Sequence, residues 1–158
     1  MNIKPFLQEN IYGLNTFFKE MTNLYNYDIL PNKILLSGPK GCGKSTLAYH
    51  IINYIFSINE NYPYDIKSNE INIQNSSFKL MKNNAHPNFH LIDLNEDKKN
   101  IEISQIRSMI NYANKSSFNN QPRFVLIDNV ENLNINSLNA LLKITEEPNN
   151  NLFFILIH

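Results

Sequence analysis

Residues 33–56 read KILLSGPKGCGKSTLAYHIINYIF: a short apolar run, a turn holding three glycines, then a run with helical period. No other stretch constrains the fold as strongly. "KILLS" at 33–37, ending in a glycine turn, is the pattern of a buried parallel strand. From Lys44 onward Leu47, Ala48, Ile51, Ile52 and Ile55 share one helical face. A glycine turn between such a strand and a helix N-terminus gathers successive backbone N–H groups with no side chain in the way, and the helix dipole adds positive potential. Gly38, Gly43, Lys44 and Ser45 fit G-x-x-x-x-G-K-[ST]. The whole loop, Gly38, Pro39, Lys40, Gly41, Cys42, Gly43, Lys44, Ser45 and Thr46, is therefore expected to cradle the phosphates of ATP or ADP. Lys44 would neutralise the β and γ phosphates, and Ser45 would hold magnesium.

The remaining pattern alternates helices with strands. Ile11, Leu14, Phe17, Phe18, Met21, Leu24 and Tyr25 predict an amphipathic helix over about 8–26, broken by Pro31. Residues 58–75 are polar without sustained period and predict a long loop or partly disordered insertion. A short helix at 76–82, a strand at 88–94, a helix carrying Ile103, Ile106, Met109, Ile110 and Ala113 with Ser104 as its cap, a strand at 123–128, a helix at 136–147 stopped by Pro148, and a strand at 152–157 complete the chain. Strands alternating with helices predict an α/β fold with a parallel sheet covered on both faces.

"RFVLID" at 123–128 places Asp128 at the tip of a strand, where a carboxylate beside the glycine-loop strand can reach a magnesium ion. Hydrolysis also needs a group that polarises the attacking water. The next residue is Asn129, which cannot accept a proton, and Glu131 is the only weak substitute nearby. Binding with little or no turnover is the chemistry expected of such a site.

Composition narrows the partners. Lys plus Arg and Asp plus Glu are both 14 in the 158 residues, so no overall positive charge points to nucleic acid or a membrane surface. Cys42 is the single cysteine, which excludes an intrachain disulfide and a Cys-rich zinc site and fits a reducing, cytoplasmic location. His86 and His90 are four apart, but Pro87 forces extended backbone between them, so the shared helical face of a zinc-binding pair is excluded. The first residues lack the basic start and apolar core of a signal peptide. Asparagine is over-used throughout the chain, as a coding bias spreads it.

The glycine loop, Asp128 and "LNINSLNALLKITEEPNNNLFFILI" at 133–157 together resemble the AAA+ subunits of bacterial DNA polymerase clamp loaders. "NALLKITEEP" at 139–148 is similar to that family's Asn-Ala-Leu-Leu-Lys-Thr-Leu-Glu-Glu-Pro. "HPNF" at 86–89, "IEISQIRSM" at 101–109 and the Asp-x-x-Glu-x-Leu-Asn stretch at 128–134 resemble the delta prime branch of DNA polymerase III. The resemblance covers nearly all of the chain outside 58–80. It implies a P-loop three-layer sandwich, with residues 1–158 as the N-terminal part of a nucleotide-binding domain, 58–80 as a variable polar insertion, and the last strand, lid and collar absent. It further implies a stator-like subunit in a hetero-pentamer with delta and gamma/tau subunits, acting on the sliding clamp and primed DNA. The family's four-cysteine zinc module and its Ser-Arg-Cys finger motif are missing; Arg107 and Arg123 are the only arginines. Glu146 and Glu147 oppose the dipole of their helix end, which is either tolerated in solvent or answered by a basic neighbour. Two other readings stand beside this one: a working motor subunit completed by Glu131, and a small-molecule P-loop kinase.

Overall fold

The computed structural model describes residues 4–95, 98–146 and 151–158. The four expected strands form as β1 (Lys33–Leu36), β2 (Phe89–Ile92), β3 (Arg123–Ile127) and β4 (Leu152–Ile157). They pair in parallel in the order β1-β4-β3-β2, giving the expected α/β architecture. β3 is buried at every position, as a strand covered on both faces must be.

The order corrects one expectation. The strand that carries Asp128 is not beside β1: β4 lies between them, which separates the two strand axes by about 10 Å. The reason is in the residues. β4, LFFILI, is the one strand without a polar side chain, and it takes an inner place. β1 contributes an exposed Lys33 and a Leu35 that is 62% exposed, and it stands at the margin of the described sheet.

The chain divides into two compact units, residues 31–38 with 87–158 and residues 1–30 with 39–86. The first holds the sheet, α4 (Ile103–Ala113) and α5 (Ile135–Glu146). Ile106, Met109 and Ala113 of α4 and Leu141 of α5 pack with Ile92, Val125, Ile127 and Phe154 of the strands. Ser104 is not the cap of α4. Glu102 is, through a reciprocal box in which its carboxylate accepts from the Gln105 backbone and Gln105 Oε1 accepts from the Glu102 N–H at 3.0 Å. At the other end of α4 the buried Arg123, 2% exposed, donates to the carbonyls of Tyr112 (2.9 Å) and Ala113 (3.3 Å) and lies over the Tyr112 ring. A guanidinium there answers the negative end of the helix.

The second unit holds α1 (Asn15–Asn26), α2 (Lys44–Ser57) and α3 (Ser76–Lys82). α1 begins seven residues later than its apolar stripe suggests. Gly13 adopts φ +73, which ends any helix run through it, and Ile11 is buried from the segment before the helix. α2 is buried continuously from Leu47 to Ser57.

Residues 58–75, expected as a long loop, fold back on two apolar anchors. Tyr64 stacks on Phe18 at 4.9 Å, and Ile71 is buried while its N–H donates to the Glu9 carbonyl. Asp65 and Glu70 exchange backbone hydrogen bonds between these anchors. Glu60 fastens the segment to the start of α3, accepting from Ser76 N (2.6 Å), Ser77 N (3.0 Å) and Ser77 Oγ (2.6 Å).

Of the seven non-glycine residues with positive φ among the described ones, all but Asp28 are asparagines: Asn69, Asn84, Asn119, Asn120, Asn129 and Asn151. With four glycines in the chain, asparagine makes the left-handed turns. Among the described residues no helix is long and apolar enough to cross a membrane.

Candidate functional site

The glycine loop follows β1 directly. Gly41 and Gly43 hold φ +84 and +90, conformations that a side chain would strain, and a Cβ on Gly43 would stand 3.0 Å from Leu14 Cδ1. The Cys42 N–H donates to the Pro39 carbonyl at 3.4 Å, which curls the loop into a turn. Lys44 Nζ reaches back to donate to the same carbonyl at 2.8 Å, with Cys42 Sγ 3.8 Å away. The lysine head is thus held over the loop rather than extended from the helix.

Gly43 caps α2 without a side-chain hydrogen bond, and the first turn carries no acid. The positive end of a helix of 14 residues is therefore neutralised by nothing in its own first turn. Ser45 and Thr46 sit half-buried in that turn, while Gly38 to Cys42 are exposed. This is chemistry suited to an anion with several oxygens.

The C-terminal edge of the sheet gathers four polar residues, one after each strand: Ser37, Asp93, Asp128 and His158. Ser37 Oγ and His158 Nδ1 are 3.5 Å apart. Asp128 follows β3 as expected, and its N–H donates to the Ile92 carbonyl at 2.9 Å. Asp128 Oδ1 accepts from the Asn129 N–H at 2.9 Å. Asn129 takes the left-handed conformation, φ +58, and turns its side chain sideways, donating from Nδ2 to Asp93 Oδ1 at 2.7 Å. Glu131 is exposed on the 3-10 turn Val130–Asn132.

Asp93 escaped the sequence reading, although a signal was present. "HLID" at 90–93 ends β2 as "VLID" at 125–128 ends β3, so both strands close on the same Leu-Ile-Asp.

The histidines are occupied by packing. His86 stacks on Phe56 at 4.0 Å, and burial pushes its pKa down to about 4. His90 stacks on Tyr112 at 5.1 Å, with burial lowering its pKa as well. Among the described residues no group of three or more His, Cys, Asp or Glu is arranged to hold a metal ion. Of the two arginines, Arg123 is spent on α4 and Arg107 is exposed. Glu146 is exposed at the end of α5; Glu147 and Pro148 lie outside the described residues.

Comparison with known proteins agrees with this layout. A family model described as "DNA polymerase III, delta subunit" matches residues 13–158. Among curated proteins, the chain is 28% identical to the DNA polymerase III subunit delta' of Buchnera aphidicola, covering 100% of this chain and 45% of that protein. It is 28% identical to the subunit delta' of Pseudomonas aeruginosa, covering 78% and 36%, and 28% identical to the DNA polymerase III subunit tau of Bacillus subtilis, covering 97% and 26%. The chain thus spans under half the length of these relatives. A crystal structure of a DNA polymerase III gamma subunit-related protein from Thermotoga maritima shares the fold with a TM-score of 0.56 at 18% identity, covering 91% of this chain and 37% of that one. With a family match that runs through the glycine loop, the Asp128–Asn129 edge and all four strands, the chain belongs to the DNA polymerase III delta subunit family.

Proposed function

We propose that this chain is the nucleotide-binding part of a delta prime subunit of the DNA polymerase III clamp loader, a stator-like member that binds ATP or ADP with magnesium and hydrolyses it weakly or not at all. Its partners are the delta and gamma/tau subunits, and through the assembled complex the sliding clamp and primed DNA, in the cytoplasm. The observation that carries the reading is Asn129: the residue after Asp128 has no basic atom, and its amide is bonded to Asp93. The glycine loop supports nucleotide binding through its two left-handed glycines, its curled lysine and the acid-free first turn of α2. In this reading Lys44 binds phosphate, and Ser45 and Asp128 hold magnesium. The motor-subunit alternative requires Glu131 to act as base, from an exposed position on a turn three residues beyond Asp128. The kinase alternative is disfavoured by the family match, which is to a polymerase subunit.

Three measurements on the full-length protein test the proposal. A fluorescent ADP analogue is expected to bind, and Lys44→Ala to abolish binding. Steady-state ATP turnover is expected to stay at background. Co-purification is expected to retrieve gamma/tau and delta subunits. Brisk turnover by the isolated protein, or failure to join those subunits, refutes it.

A further inference from the structure

The two Leu-Ile-Asp ends are in register: Leu91 pairs with Leu126 and Ile92 with Ile127, so Asp93 and Asp128 leave neighbouring strands side by side. Between them runs the 2.7 Å hydrogen bond from Asn129 Nδ2 to Asp93 Oδ1. The same Oδ1 accepts from the Leu94 N–H at 2.7 Å, and the Asp93 carbonyl accepts from Gln105 Nε2 at 2.8 Å. Gln105 in turn closes the box that starts α4, and the Ile101 N–H donates to the Asn132 carbonyl. Asp93 is the junction at which the ends of β2 and β3 and the start of α4 are tied together.

We propose that Asp93 is the positioning residue of the candidate site, the acid of an acid–amide pair whose amide is Asn129. The pair holds one carboxylate and one donor, and the carboxylate stands directly after β2 rather than after Asp128. Position 129 is not simply short of an acid: a carboxylate there would face Asp93 across the space now filled by a hydrogen bond, setting two acceptors against each other with no donor between them. Reinstating an acid at 129 therefore requires removing the one at 93. The pair itself stands on geometry alone; its bearing on nucleotide chemistry rests on the function proposed above. Other ionisable groups on these turns, among the described residues, are Asp128, Glu131, and Glu102, which is paired with Lys98 at 3.2 Å.

The test compares the full-length protein with Asn129→Asp, Asp93→Asn and the exchanged form Asp93→Asn/Asn129→Asp, by urea denaturation at pH 8. Asn129→Asp is expected to raise the unfolding equilibrium constant about tenfold or more, because the donor that Asp93 Oδ1 accepts from is replaced by an oxygen. The exchanged form is expected to recover only part of that penalty: an amide at 93 can donate its NH2 to an acid at 129, but the one oxygen position that serves both the Leu94 N–H and position 129 in the parent then no longer accepts from Leu94. A bystander contact would give a penalty under about twofold in Asn129→Asp, or an exchanged form no better than the single variant; either result overturns the proposal. The same four proteins are titrated with a fluorescent ADP analogue. Asn129→Asp is expected to weaken binding and the exchange to restore it, and unchanged affinity in Asn129→Asp overturns the positioning role. If the parent binds no analogue at all, the nucleotide reading fails while the stability comparison still decides the pair.

Discussion

Acidification from pH 7.5 to pH 5 should destabilise this protein through two buried imidazoles. His50 is fully buried on α2, with Nε2 3.1 Å from the Gln8 carbonyl and Nδ1 2.8 Å from Tyr64 Oη. A carbonyl only accepts, so Nε2 carries the proton, and Nδ1 accepts from the tyrosine hydroxyl. A second proton would land on Nδ1 and take that acceptor from Tyr64. Burial lowers the His50 pKa to about 4, with the Gln8 bond opposing only in part. His86, 7% exposed, is lowered by burial to about 4 against the opposing pull of Glu60.

Unfolded imidazoles titrate near 6.5, so between pH 6.5 and 4 the unfolded chain binds protons that the folded chain refuses. The stability contributed by the neutral rings is fully present above pH 6.5 and is lost as pH falls toward 4. At about 1.4 kcal/mol per pKa unit, the loss by pH 5 is roughly 2 kcal/mol for each ring and about 4 kcal/mol for both. A domain is stable by only about 5–15 kcal/mol. Urea denaturation should show the midpoint falling by about 2 M for a slope near 2 kcal/mol/M. His50→Gln/His86→Gln should be less stable at pH 7.5 but nearly flat across this window. Equal midpoints at the two pH values, or either ring of the folded protein titrating near 6.5 by NMR, would refute the argument.

Arg123→Met should destabilise by about 3 kcal/mol in thermal or urea unfolding, because it removes the donors to the Tyr112 and Ala113 carbonyls and the charge at the end of α4. An effect under about 0.5 kcal/mol would mean that the guanidinium is not holding the helix end. Gly43→Ala should cost more than Gly41→Ala: both force a side chain into positive φ at about 1–2 kcal/mol, but only at 43 does the new Cβ meet Leu14. Equal midpoints for the two variants would show that Leu14 moves aside freely.

The strands and most helices were legible because their apolar runs and periods are unbroken: LFFILI reads as a strand and forms one, and Ile103–Ala113 forms as its stripe predicts. What failed were features that periodicity does not encode. The stripe through Ile11 and Leu14 continues across Gly13, yet the left-handed glycine ends the helix there. Residues 58–75 do form the expected loop, without helix or strand; what their composition did not show is that the buried Tyr64 and Ile71 pin it down. The cap of α4 was read from a hydroxyl at 104 when the reciprocal Glu102–Gln105 spacing stood two residues earlier. At the candidate site, the glycine loop and Asp128 could be read from local sequence. Asp93 could not be joined to Asn129 without the strand pairing, since 36 residues separate them.

Asparagine at the chain reversals alters the denatured ensemble as well as the native one. A residue with a Cβ explores less backbone space than glycine when unfolded, so each such reversal surrenders less freedom on folding, which offsets part of the strain of its positive φ. A drift in codon usage that swaps glycine for asparagine can therefore pass through this architecture with little change in net stability, provided that it falls where the backbone turns left.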